Sequence, residues 1–176
     1  MMLKTILWFG AATALIISAP LSAHEAAKPD DAQIAHVAYT AGQIDVDAGK
    51  QALARSHNPA VRSFAEAMVR DHAAVNDKAL ALVARLGVTP QANATSSALS
   101  AQAAQKHAEL AGLDGAAFDR AYVANEVAYH RTVNDALRDL LIPSATNGEL
   151  KALLETGLTL FSEHQAHAEH LAASLK

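Results

Sequence analysis

The sequence predicts an all-α domain, and three observations carry that expectation. Alanine fills 42 of the 176 positions while aromatic residues make up only 5%. That balance suits close-packed helices and deprives a sheet of the β-branched and aromatic side chains it packs with. Proline cannot sit inside a helix without losing a hydrogen bond and clashing with the preceding turn, and beyond residue 23 it falls only at Pro29, Pro59, Pro90 and Pro143. Between those points apolar residues recur at steps of three and four, the helical period.

Taken in order, the chain opens as an export segment. Met1 to Lys4 give a short positive start and Thr5 to Ala19 an apolar run; after Pro20, Leu21-Ser22-Ala23 ends in the small residue a signal peptidase cuts behind. The run is shorter than the about 20 apolar residues of a bilayer span. Residues 1–23 therefore read as a signal peptide, 24–30 as an N-terminal tail and 31–176 as the folded domain. The expected product is periplasmic, with no stable membrane insertion after cleavage; an uncleaved N-terminal anchor is the alternative.

The first helix is expected at about 31–55. Asn58-Pro59 offers an N-cap and a first-turn proline for a second at about 59–87, which stops at Gly87. Pro90 opens a polar stretch, Gln91 to Ser97, leading to a weaker helix at about 97–111 that Gly112 ends. A third principal helix runs from about Gly115, behind the cap candidate Asp114, to Leu141. The fourth runs from about Asn147 to Leu175, where Thr146-Asn147-Gly148-Glu149 fits a capping box. The links at 56–58 and 142–146 are short enough to force antiparallel hairpins, and the link of roughly 30 residues between the second and third helices allows a crossover. Two helical hairpins joined by a long crossover with a short helix is the ferritin-like four-helix bundle plan. An up-down bundle with the 97–111 helix as a lid fits the same spacing. A weak internal echo, His72-Ala73-Ala74-Val75-Asn76-Asp77 against His130-Arg131-Thr132-Val133-Asn134-Asp135, favours the paired plan.

Composition excludes several chemistries. With 14 Lys and Arg against 18 Asp and Glu, the chain lacks the basic excess that phosphate neutralisation requires, so nucleic acid is not an expected partner. The absence of Cys removes thiolate catalysis, zinc fingers, iron–sulfur clusters and covalent haem attachment. After signal cleavage Met68 is the sole sulfur, so a metal would be held by nitrogen and oxygen.

Histidines interrupt the apolar rows. The second helix gives Val61, Ala65, Met68, His72, Val75, Ala79, Leu82 and Leu86. The third gives Ala116, Val123, Glu126 or Val127, His130, Val133, Leu137 and Leu140. The fourth gives Leu150, Leu153, Gly157, Leu160, His164, His167 and Leu171, and the first places Asp45 between Ala41 and Ala48. Residues three or four apart share a helix face, so His164 with His167, and Glu126 with His130, can address one point. Imidazole suits Cu, Zn, Ni and Fe, and a carboxylate adds charge neutralisation. His72, His130, His164, His167, Glu126 and Asp45 are thus the candidate metal ligands. The plainer reading of each is a core polar group hydrogen-bonded to its surroundings, with Asp71 an exposed neighbour or an acceptor that orients an imidazole. His36, His57, His107 and His170 fall off the rows and read as surface. His24, at the expected mature N-terminus, adds an amine and imidazole that could chelate copper.

The run Ala60-Val61-Arg62-Ser63-Phe64-Ala65-Glu66-Ala67-Met68-Val69-Arg70-Asp71-His72, then Leu86-Gly87-Val88-Thr89-Pro90, Phe118-Asp119-Arg120-Ala121-Tyr122-Val123 and the later His130 and His164 resemble the domain-of-unknown-function 4142 family over about residues 32–172. The resemblance implies an exported bacterial protein with a ferritin-like bundle and no assigned activity. His72, His130 and His164 match that family's recurrent histidines, and Asp45 sits where it often has Glu. The di-iron carboxylate pattern requires Glu-x-x-His, which is absent from the sequence, so no di-iron centre is expected. The leading expectation is a transition-metal-binding bundle. A metal-free envelope scaffold, a mononuclear metalloenzyme and, more remotely, bis-histidine haem binding by His72 and His130 are the alternatives.

Overall fold

The computed structural model describes residues 28–175; the expected signal peptide, its cleavage point and His24 lie outside the described residues. The described residues are helical throughout, without strands: α1 (Asp31–Arg55), α2 (Pro59–Leu86), α3 (Ala94–Ala111), α4 (Gly115–Ala136), a π-helical segment (Leu137–Leu141), the short turn α5 (Ile142–Ser144) and α6 (Gly148–Ser174). None of these helices is long and apolar enough to cross a membrane.

Local sequence explains the boundaries. The Asp30 side chain accepts from the Gln33 amide while the Gln33 side chain returns to the Asp30 amide, closing a capping box at α1. Asn58 caps α2 ahead of Pro59, and Gly87 ends it in the left-handed region at φ 65°, which glycine adopts without a Cβ penalty. The crossover helix starts at Ala94 rather than 97, because Asn93 and Ser96 form a second capping box. Two expected caps are corrected. Asp114 makes no capping bond to α4 and instead pairs with Arg55. At α6 the cap is Asn147, not Thr146; the Thr146 amide and hydroxyl both donate to Asp31.

Helix directions follow from end contacts. Arg55, at the end of α1, donates to the Leu113 carbonyl just before α4, and Arg85, at the end of α2, pairs with Glu149 at the start of α6. Asp31, at the start of α1, holds the turn that leads into α6. Thus α1 and α6 run one way, α2 and α4 the other. The crossover helix lies along α1: Asn93 donates to the Gln33 carbonyl at one end and Gln51 to the His107 carbonyl at the other. Helix α2 packs between α1 and α6, and α4 completes the square by touching α6 and α1.

Among the described residues the interior has two apolar clusters. One, near the α1–α2 turn, is built on Phe64, Met68, Phe118, Tyr122 and Val123; the other, near the start of α6, on Ile34, Leu82, Leu137, Leu141 and Leu154. Between them, near mid-helix, lies a layer of buried Asp45, His72, Glu126, His130 and His164.

Candidate metal centre

Each principal helix delivers one or two side chains to this layer: Asp45 from α1, His72 from α2, Glu126 and His130 from α4, His164 from α6. All five are buried. One ring nitrogen from each of His72, His130 and His164 lies within 4.8 Å of the other two, and ligand atoms of Asp45, Glu126 and His130 form a second group of the same tightness. The ring centroids of the three imidazoles are 5.2–5.7 Å apart.

Outward hydrogen bonds fix two of the three rings. His130 Nδ1 lies 3.0 Å from the Glu126 carbonyl oxygen; a carbonyl only accepts, so Nδ1 carries the proton and Nε2 is left bare. His164 Nε2 lies 3.1 Å from Asp71 Oδ2; with the carboxylate ionised, that nitrogen is the donor and Nδ1 is bare. His72 Nε2 stands 3.5 Å from Asp45 Oδ2, beyond a good hydrogen bond, and the ring is held by stacking on Phe161, with centroids 4.4 Å apart and planes 10° off parallel. Both His72 nitrogens, His130 Nε2 and His164 Nδ1 are buried with no hydrogen-bond partner among the described residues. Each such atom costs about 1–3 kcal/mol of lost hydration.

The electrostatics keep the rings neutral. Burial, then the neighbouring His130 and His164, lower the His72 pKa to about 2. Burial is also the main cause for His130, at about 4. His164 is lowered by burial too, against the pull of Asp71. Asp71 is itself half-buried; burial works upward on its pKa, but hydrogen bonds with Arg70 and His164 outweigh it and bring the carboxyl below its usual range. Asp45 and Glu126 behave oppositely. Burial and then the Glu126 charge hold Asp45 well above the carboxylate range, and burial raises Glu126 to about 7 although its interaction with Asp45 works the other way. The pair therefore retains a proton near neutrality.

His167, a candidate ligand by its spacing from His164, stands outside this layer. It is exposed, edge-on to Phe64 at 5.1 Å. The inward row of α6 is Leu150, Leu154, Gly157, Phe161, His164, Ala168 and Leu171, so the face expected through Leu160 and His167 is one step out of phase on both sides of His164. On α4, Phe118 turns inward and Ala116 is exposed; beyond it the wider π turn buries Leu141 while Leu140 stays exposed. His57, His107 and His170 are exposed as expected, and His36 is half-buried.

Two further residues belong to the site's surroundings and do not stand out in the apolar rows. Asn76 and Asn134 lie one turn beyond His72 and His130, both buried. Asn76 donates to the Tyr39 carbonyl of α1, and Asn134 to the Phe161 carbonyl and the Gln165 side chain of α6. Their signal is the His-x-x-x-Asn echo: each copy ties its helix to its hairpin partner beside the imidazole layer.

No curated protein and no solved structure matches the chain. One family model does, over residues 18–171, and with that span covered the chain belongs to the family described as domain of unknown function DUF4142.

Proposed function

We propose that this is an exported, ferritin-like bundle that binds a transition-metal ion through His72, His130 and His164. One observation carries the reading: one ring nitrogen from each of three imidazoles converges within 4.8 Å in a buried layer where four of the six ring nitrogens have no hydrogen-bond partner among the described residues. Lone pairs brought together in a low-dielectric interior repel, and a hydrogen-bond donor, a proton or a cation relieves them. The depressed pKa values disfavour the proton. A metal ion answers the same lone pairs, and the outward bonds of His130 and His164 to a carbonyl and a carboxylate have the form that orients metal-ligating imidazoles. Asp45 and Glu126, next to His130, supply the negative charge that a buried dication needs once it displaces their proton. The ferritin-like assignment is supported by the neighbour order and by helix directions that oblige the crossover to travel the length of the bundle.

Calorimetric titration of untagged protein at pH 7.5 with Cu(II), Zn(II) and Ni(II) tests the proposal. We expect one saturable site with micromolar or tighter affinity, Cu(II) binding tightest by the Irving–Williams order. His72→Ala, His130→Ala and His164→Ala should each weaken it about tenfold or more, while His24→Ala, His57→Ala and His167→Ala leave it unchanged. No saturable binding, or binding indifferent to the three core substitutions, overturns the metal reading in favour of a scaffold.

Export rests on the Lys4, Thr5–Ala19 and Ala23 pattern. Intact mass of the protein from the periplasmic fraction should correspond to a chain beginning at His24 or within a few residues of it. Recovery of full-length chain in the membrane fraction would count against it.

A further inference from the structure

The two ends of the bundle are filled differently. Near the α1–α2 turn, Phe64, Phe118 and Tyr122 occupy the centre. Toward the other end, the four principal helices and the start of the crossover helix, through Thr95 and Leu99, line a partly open cavity of about 160 Å³ whose wall includes the small residues Ala35, Ala38, Ala79, Ala136 and Gly157. The π-helical segment contributes Leu137, Leu140 and Leu141 to the same wall; a π turn widens a helix and frequently accompanies a functional site. Leu80 and Leu140, 44% and 38% exposed, also line the cavity and are the large apolar side chains most open to solvent among the described residues. They mark its route to the outside.

The walls are almost wholly apolar. Asn76, a polar exception, already spends its amide on the Tyr39 carbonyl. An internal water needs two to four polar partners, which this lining does not offer; an apolar cavity of about 150 Å³ stays dry and accepts benzene or xenon. Phe161 belongs to the cavity wall and is also the ring stacked on His72. Gly157 permits that position: a Cβ there would stand 3.3 Å from the Phe161 ring.

We propose that this cavity is a binding site for a small, uncharged, apolar molecule of up to about benzene's size, seated against Phe161. The site does not depend on metal binding. Its occupant touches a ring that the histidine layer also touches, so occupancy is transmitted to His72 through Phe161.

Benzene is the probe, added to full-length, chelator-treated protein and followed by aromatic carbon–proton correlation spectra and by thermal unfolding. The expected result is a saturable shift of the Phe161 and His72 ring signals with a millimolar or tighter Kd, and a Tm raised by a few degrees at saturation. Benzoate, similar in size but charged, should produce neither. Ala79→Leu and Ala136→Leu, which fill the cavity from two helices, should each weaken benzene binding at least tenfold. The proposal is overturned if benzene gives no saturable shift at Phe161 in the unsubstituted protein, a result that needs no variant to fold. Equal responses to benzoate, or undiminished binding in a filled variant that keeps its helical circular dichroism, overturn it as well.

Discussion

An imidazole in an apolar interior has two ring nitrogens to satisfy, and His130 and His164 satisfy only the outer one. His72 and His130 are legible in the sequence because a single polar residue in an apolar row has no cheap place but the interior. His167 is misleading for an equally physical reason. Steps of three and four fit either Leu160–His164–His167 or Phe161–His164–Ala168, and the sequence does not set the phase; the bulk of Phe161 against His72 does. Asp71 shows what a linear row cannot reveal. It precedes His72 on α2, yet the imidazole it orients is His164 on α6. On the proposed metal site, substituting Asp71 by Ala should free that ring and lower metal affinity about tenfold, the usual scale for an outer partner of a ligating histidine. Asp71→Asn, whose amide oxygen still accepts from Nε2, should recover part of the loss in the same titration. Equal affinity in all three proteins would show that the bond does not position the ligand.

Helix ends are more legible than helix faces. Caps are local chemistry, and Asn58 and Gly87 act as their types dictate; Thr146 and Asp114 depart from the pattern because each finds a distant partner, Asp31 and Arg55, that outcompetes the cap. Faces depend on what lies opposite. The approach of α1 to α2 is one such case, set by Gly42, where an added Cβ would collide with the Asn76 amide. Because Asn76 reaches past Gly42 to the Tyr39 carbonyl, the two cannot be changed independently. Gly42→Ala should cost about 1–3 kcal/mol in urea unfolding, the range for overpacking a filled site, despite the better helix propensity of alanine. Asn76→Ala alone loses the hydrogen bond. The double variant should be more stable than the sum of the two losses, since the smaller side chain removes the collision, and strict additivity would rule out the contact as the cause.

Across the whole molecule the all-helical class and the places where helices break are legible from composition and prolines, because proline cannot sit inside a helix. The polar layer between two apolar clusters is not, since it arises only when four helices bring their mid-points level. That layer also governs acid stability. Unfolded imidazoles titrate near 6.5, whereas His72 and His130 are held at about 2 and about 4 in the folded chain. Below pH 6.5 the unfolded chain takes up protons that the folded chain refuses, so these groups withdraw stability as pH falls. Glu126 opposes them. Burial raises it from 4.5 to about 7, so its stabilising proton is fully present below 4.5 and lost as pH rises through 7. Asp45, also raised, acts in the same direction. Between pH 6.5 and 4.5 the two carboxyls offset His72 and His130, and the lowered His164 tips the balance, so the metal-free protein should lose Tm only slightly over that window. Glu126→Gln fixes the neutral form: it should match the parent near pH 5 and exceed it in Tm at pH 8, where the parent buries a carboxylate charge. A constant difference between the two proteins across that range would show that Glu126 does not hold its proton in the fold.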